Sequence, residues 1–412
     1  MSRPDFMHWF ATEYHAFSSQ PQTMRLLLIA DSIYAIVLPV FEIFVAAYVL
    51  RNSHDIRIVM AYQLSIYAAI PVAFLINGFV LQKVPANDVY AAGMLLSGVA
   101  LLILTTTSVA TWRGIVLSGG LLGIATGVFW ANRGFLALSS TNDQNRNYFY
   151  GIETAVLTVT WVLVPWIVGS LIDNLHARVS TDGLNFAYRI VAIASLILTC
   201  TAAIVVLRGN YPRPSYRRFV FFRFHRLWYR LLVMAFLRGV TQGYIVTAPA
   251  LLILRLVGQE GTLGGVEAIG SCVASICLYV IGRISRPKHR VKVLAAGVAL
   301  FMLGAALNAT LFNVAGVLIF MGCLLMAKPL IDVAYAPLEF RTIDLISQIE
   351  KRDQYAYIFH HELAVFAGRL VGCVLFIASA TYVSETSALR YTLLIVAIMQ
   401  LPVILVARKL PS

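Results

Sequence analysis

GFVLQKVPANDVYAAG, Gly78 to Gly93, decides how the rest of this chain is read, because GRISRPKHRVKVLAAG, Gly282 to Gly297, repeats its frame. Each stretch opens on a glycine at the end of an apolar run, passes through a short basic connection, and closes on Ala-Ala-Gly inside the next apolar run. The two lie 204 residues apart. An offset of 205 lays RLLLIA (Arg25 to Ala30) on RLLVMA (Arg230 to Ala235), and one of 206 lays RNYFY (146–150) on RDQYA (352–356). Three alignments at nearly one offset describe a chain made of two consecutive copies of one unit.

Composition says what that unit is made of. Of 412 residues 59% are hydrophobic and 12% charged, with a mean hydropathy of +0.79, where an ordinary globular domain is roughly 25% charged. Runs of about 20 apolar residues, the length that spans a bilayer as a helix, recur near 25–49, 58–81, 88–109, 114–138, 148–172, 187–207, 230–254, 262–282, 291–311, 313–340, 354–379 and 388–407. The chain therefore reads as an all-α polytopic membrane protein with twelve transmembrane helices. Its expected divisions are an N-terminal segment (1–24), a six-helix bundle (25–207), a basic central loop (208–229) and a second six-helix bundle (230–412). The first 24 residues hold Arg3, Asp5, His8 and Glu13 and no apolar core, so they do not read as a secretory signal peptide. Phe6, Phe10, Tyr14 and Phe17 at helical spacing fit either a short interfacial helix or a partly ordered tail.

A net charge of +13 raises the question of nucleic acid, which needs the basic residues gathered on one soluble surface. Here they follow topology instead. About 21 of the 32 Lys and Arg fall on the side of the twelve spans that carries the N-terminus, about seven on the other side and four inside spans. That asymmetry predicts both termini in the cytoplasm and the chain in the plasma membrane, the inner membrane if the source is bacterial. RGNYPRPSYRRFVFFRFHRLWYR (208–230) holds seven Arg and GRISRPKHRVK (282–292) five Lys or Arg, and both suit anionic lipid headgroups. Membrane lipids are thus expected partners and nucleic acid is not. Cys200, Cys272, Cys277, Cys323 and Cys373 lie in apolar spans without a C-x-x-C pair, so neither metal nor cofactor is expected.

Six plus six helices, a basic central loop and matched Gly-led connections resemble the major facilitator superfamily over nearly the whole chain. That family's loop pattern is approximately G-x-L-A-D-R-x-G-R-R. GFVLQKVPAN keeps Gly78 and has Lys83 at the Arg position, but carries Gln82 where the acid belongs; GRISRPKHR keeps Gly282 and its basic character, also without the acid. TNDQNRNYFYG resembles the loop between the fourth and fifth helices, with Arg146 and Gly151 matching, whereas Gly119 and Gly120 stand where drug-proton antiporters carry a fourth-helix arginine. The resemblance implies two domains around a central cavity, alternating access, and a solute site near the membrane midplane. It makes Gly78, Lys83, Gly282 and Arg146 the expected conformational loop positions.

Ionisable groups within spans cost about 3 kcal/mol or more at a helix centre and need a partner or a cavity. Asp31, Arg133, Glu153 and Glu339 lie nearer the N-terminal side and are expected to form a structural charge network. Arg238, Lys328, Asp332, Glu362 and Arg369 lie deeper, where snorkelling is difficult. In KPLIDVAYAPLE, Lys328, Asp332, Tyr335 and Glu339 are spaced 4, 3 and 4, which places them on one helical face. Lys328 and Asp332 also have the spacing of an i, i+4 ion pair. Three cations (Arg238, Lys328, Arg369) against two acids (Asp332, Glu362) favour an anionic or zwitterionic solute. Expected solute contacts are Arg238, Gln242, Lys328, Asp332, Tyr335, Arg369, Trp130 and Tyr34, with Trp161 as a further candidate lining. Asp332, Glu362, His361 and Glu42 are the expected proton-coupling groups. HELAV at 361–365 lacks the second His of H-E-x-x-H, so it reads as no zinc site.

The function expected from these residues is secondary active transport of a small organic solute, driven by a proton gradient or by the solute's own gradient, with proton coupling the expected form; no Walker A motif is present, so ATP is not the expected direct energy source. A lipid or glycolipid flippase and multidrug efflux are alternatives on the same fold. A membrane-embedded enzyme would need a nucleophile elbow, H-E-x-x-H or a paired-Asp site, none of which occurs, and the chain is expected to be no enzyme. A monomer binding a small-molecule solute and protons is the expected working form.

Overall fold

The computed structural model describes residues 14–106, 112–141, 145–178, 183–211, 220–221, 223–284, 289–352 and 354–410. Twelve helical spans run through them: α1 (Gln22–Ser53), α2 (Ile56–Val80), α3 (Ala86–Thr106), α4 (Trp112–Ser140), α5 (Arg146–Arg178), α6 (Gly183–Leu207), α7 (Arg226–Leu256), α8 (Glu260–Ile284), α9 (Arg290–Leu311), α10 (Val314–Glu350), α11 (Gln354–Tyr382) and α12 (Glu385–Ala407). Eleven of them are long and apolar enough to cross a membrane, and α8 has 25 residues. Twelve successive spans put the start of α1 and the end of α12 at one end of the molecule, called here the near end.

Local chemistry sets the boundaries. Asp55 accepts from the Arg57 N–H to start α2, Asn313 from the Gly316 N–H to start α10, and Ser384 from the Ser387 N–H to start α12. Left-handed residues His54, Phe312 and Lys351 end α1, α9 and α10. Large apolar side chains such as Val72, Ile76, Leu117, Trp166, Ile197 and Ile276 point outward and form a surface that only lipid suits.

Helices α1 to α6 pack together as one bundle and α7 to α12 as another, while α2 against α11 and α5 against α8 join the two. Those two junctions exchange when each helix number moves by six, as two copies of one unit require. The glycines that close the two repeated stretches explain part of this. A Cβ on Gly93 would press on Val128 and the Phe129 backbone of α4, and one on Gly297 on Leu330 and Ile331 of α10. Each glycine therefore seats the third helix of its half against the fourth.

The first helix of each half is also interrupted at matching places. In α1, Pro39 precedes a π-helical turn over Val40–Phe44, and in α7 the helix breaks at Val246–Thr247 before Pro249. Helix α10 extends to Glu350, ten residues beyond its expected end, and α7 begins at Arg226 rather than 230. Of the expected aromatic N-terminal helix, residues 14–18 are helical; Phe6 and Phe10 lie outside the described residues.

Candidate functional site

Three groups of charged side chains occupy the helix interiors. The first lies wholly in the first half. Arg133 of α4 pairs with Glu153 of α5 and stands 3.9 Å from Asp31 of α1, and Tyr90 of α3 donates to Asp31 at 2.6 Å. Ser32, Trp130 and Leu157 help line a cleft of about 20 Å³ beside this triad, room for about one water and no organic solute. The Arg133 guanidinium lies 5.4 Å from the centre of the Trp130 ring, and Trp130 is 44% exposed. Glu339, expected in the same network, is elsewhere: it lies in the second half, beside His361.

The second group belongs to α7, α10 and α11. Arg238 pairs with Asp332 at 2.7 Å and its guanidinium covers the Tyr335 ring at 4.1 Å. Asp332 therefore takes its partner from α7, so the i, i+4 pairing with Lys328 gives way to a pairing between helices. Tyr335 is 1% exposed and its hydroxyl meets His361 Nε2 at 2.7 Å, which makes it a core residue rather than a solute contact. His361 Nδ1 lies 3.4 Å from Glu339 and 3.6 Å from Glu362.

The third group sits between the halves. Glu42 (α1) and Lys328 (α10) are both exposed although they lie well inside their helices. Glu42 interacts electrostatically with Lys328 and Arg369, and Glu267 of α8 with Lys328 and Glu42. Arg369 donates twice to Gln242 Oε1, at 3.0 and 2.8 Å, and stands 4.9 Å above the Tyr67 ring; Tyr67 in turn donates to the Gln242 carbonyl at 3.0 Å. Lys328 Nζ lies 5.8 Å from the Trp161 ring. The chain is thus drawn to one level from α1, α2, α5, α7, α8, α10 and α11, with both signs of charge present.

Sequence reasoning placed Glu42, Gln242, Lys328 and Arg369 among the functional residues, and the structure brings these together. It missed Glu267, although an acid inside an apolar span was the available signal. It also set Tyr34 in the cavity lining, whereas Tyr34 is 2% exposed, donates to Ser97 at 3.1 Å and stacks on Phe129 at 4.2 Å in the core of the first half. Among the loop positions, Gly78 is buried near the end of α2 and Lys83 is exposed in the following turn. The side chains of Arg146 and Cys277 and the surroundings of Gly282 lie outside what the structure describes. Among the described residues no cluster of metal-ligating side chains occurs.

Comparison with known proteins agrees with this architecture. The chain is 24% identical to the uncharacterized protein YqgE of Bacillus subtilis (strain 168) over 389 residues, covering 90% of this chain and 86% of the relative. It is 23% identical over 211 residues to an uncharacterized protein encoded in the sodM 3' region of Geobacillus stearothermophilus, covering 50% of this chain and 95% of that one. The fold matches a crystal structure of a bacterial homologue of the human lysosomal transporter Spinster, solved inward-facing and unoccupied, with a TM-score of 0.62 at 12% identity over 95% of this chain and 98% of the other. The family model of the Major Facilitator Superfamily matches residues 26–338. With two six-helix halves joined through α2, α11, α5 and α8, the chain belongs to the Major Facilitator Superfamily.

Proposed function

We propose that the protein is a secondary transporter that moves a small zwitterionic solute by alternating access between its two halves, coupled to protons. The observation that carries this reading is that Glu42 from one half and Lys328 from the other are both exposed well inside their helices and lie within electrostatic reach of one another. A charged side chain held at that depth needs a water-filled space or a charged ligand. Lys328, with Arg369 oriented by Gln242, suits the anionic group of a solute. Glu42 and Glu267 suit its cationic group.

The surplus of cations counted along the sequence does not survive in space. Glu42 and Glu267 stand against Lys328 and Arg369, so a solute carrying both signs matches the site better than a simple anion. Such a solute would bind both halves at once, as a rocking mechanism requires. The excess of Lys and Arg toward the near end supports cytoplasmic termini and a plasma-membrane location. A monomer is the proposed working unit.

Thermal stabilisation of the purified protein by a panel of amino acids, betaines, carboxylic acids and amines tests the reading. Zwitterions should raise the melting temperature of the wild type and fail to protect Lys328→Met or Glu42→Gln. Protection by simple carboxylic acids alone, or by amines alone, would overturn it.

A further inference from the structure

We propose that the pairing of Arg51 with Glu260 is a latch that holds the two halves shut at the far end, the end remote from the termini, and that Asp173 is the partner to which Arg51 passes when the latch opens. The proposal deepens the alternating access of the proposed function and rests on that reading only for the use made of the motion.

Buried apolar side chains divide unequally along the molecule. Toward the near end they form two cores, one confined to the first half, from Met24 to Tyr211, and one to the second, from Trp228 to Leu410. Toward the far end a single core is continuous across both halves and holds Val45 and Val49 of α1, Ile172 of α5, Leu251 and Ile253 of α7 and Leu263 of α8. On the near side of the charged centre, Trp130 and the Asp332 side chain are each close to half exposed. The molecule is thus closed at the far end and open at the near end.

Charge and close backbone fit meet at this closure. Arg51 of α1 bonds both carboxylate oxygens of Glu260, at 2.7 and 3.1 Å, and also the Gly258 carbonyl, all across the boundary between the halves. Alongside, a Cβ on Gly264 of α8 would strike the Pro165 carbonyl of α5, and one on Gly169 of α5 the Glu260 carbonyl, so the two backbones touch. Asp173 of α5 accepts from the Gly261 N–H at 2.8 Å.

The closure is reversible because of where its charges go. Asp173 lies within electrostatic reach of Arg51 and belongs to the same half. When α8 withdraws, Asp173 loses the Gly261 N–H and Arg51 loses Glu260, and the two released groups are left to pair within the first half. Glu260 departs as the first residue of α8, where the helix N-terminus and water both favour a carboxylate. Neither half then keeps a stranded buried charge, the state that makes a broken ion pair expensive.

The test uses the full chain in lipid nanodiscs, in a background lacking the native cysteines, with no solute and no gradient. Ala47, one turn before Arg51 on the same face of α1, is fully buried at the closure, whereas Ala202 of α6 is fully buried within the first half alone. Thiols introduced by Ala47→Cys and Ala202→Cys are timed against a water-soluble maleimide. Glu260→Gln should speed the reaction at position 47 by roughly fivefold, the shift expected on losing a partly exposed ion pair, and leave position 202 unchanged. Gly264→Leu, which wedges α8 from α5 without touching a charge, should do the same. Adding Asp173→Asn to Glu260→Gln should slow position 47 again, because the amide oxygen still accepts from Gly261 but offers Arg51 no charge. An unchanged rate at position 47 in both Glu260→Gln and Gly264→Leu, or an equal rise at position 202, would overturn the latch. A rate that stays level or climbs further when Asp173→Asn is added would overturn the exchange of partners. Because no solute is present, either failure is distinct from a failure of the central site to bind a zwitterion.

Discussion

Arg51 and Glu260 tie the two halves together at the end remote from the termini. Arg51 Nε lies 2.7 Å from Glu260 Oε1 and Nη2 lies 3.1 Å from Oε2, while the same guanidinium also donates to the Gly258 carbonyl. Next to it, Asp173 of α5 accepts from the Gly261 N–H at 2.8 Å, so two carboxylates and one arginine fasten the start of α8 to α1 and α5.

Glu260 is buried and Arg51 about one-third exposed. Arg51→Met strands a buried carboxylate, which in a fully buried pair costs about 3–5 kcal/mol; the exposure of Arg51 puts this case at or below the lower figure. The purified single variant should melt below the wild type, and the double Arg51→Met/Glu260→Gln should regain much of the difference. Identical melting of the single and double variants would show that the pair does not couple.

The Arg238 and Asp332 pair makes a similar claim in the second half. The Asp332 side chain is 44% exposed, so Arg238→Met and Asp332→Asn should each destabilise the fold by only about 1 kcal/mol, and the double by less than the sum of the two. Combining Lys328→Met with Asp332→Asn should give simple additivity, because Asp332 is bonded to Arg238. A double-mutant cycle read by melting of detergent-solubilised protein separates the two cases.

Gly239 and Gly243 on α7 face Gly368 and Gly372 on α11, two G-x-x-x-G faces in contact. A Cβ on Gly239 would strike the Val365 carbonyl, and one on Gly368 the Phe236 carbonyl. Backbone carbonyls of two packed helices cannot step aside as side chains do. Gly239→Leu and Gly368→Leu are expected to lower the yield of folded protein several-fold, whereas Gly265→Ala, which meets open space, should be tolerated. Size-exclusion profiles of the three variants check this.

Orientation is open to a direct measurement. A cysteine at Ser215, placed in a background lacking the native cysteines, should escape a membrane-impermeant thiol reagent in intact cells and react after permeabilisation. Ready labelling in intact cells would reverse the proposed orientation.

The two-copy architecture was legible because closing glycines, basic connections and span lengths are all set by chemistry local to the chain. Gly93 and Gly297 could be paired from sequence, and both prove to seat one helix on the next. Asp31, Arg133 and Glu153 were legible as a network because charges in apolar helices must find each other. Ring directions were not legible. Whether Tyr34 and Tyr335 face a cavity or a neighbouring helix depends on which face α4 or α11 covers, and that is decided between helices far apart in sequence. The partner of Asp332 was hidden for the same reason, since a residue four positions away competes with an arginine 94 positions away and loses.

Helix α10 has a mechanical consequence. At about 1.5 Å per residue its 37 residues extend about 55 Å, against about 30 Å of hydrocarbon, so its final turns overhang the bilayer. Those turns are moored: Glu350 accepts from the His225 N–H and the Tyr357 hydroxyl, each at 2.5 Å, and pairs with Arg352 at 3.0 Å. Pro329, next to Lys328, removes one backbone donor, as Pro337 does two turns on, and makes that point one at which the rod can bend. From there to Glu350 is a lever arm of about 30 Å, so a bend of about 10° beside the lysine sweeps its tip by about 5 Å. A displacement too small to see at the charged centre thus becomes a stroke comparable to one helical turn at Glu350, where α10 meets His225 at the start of α7.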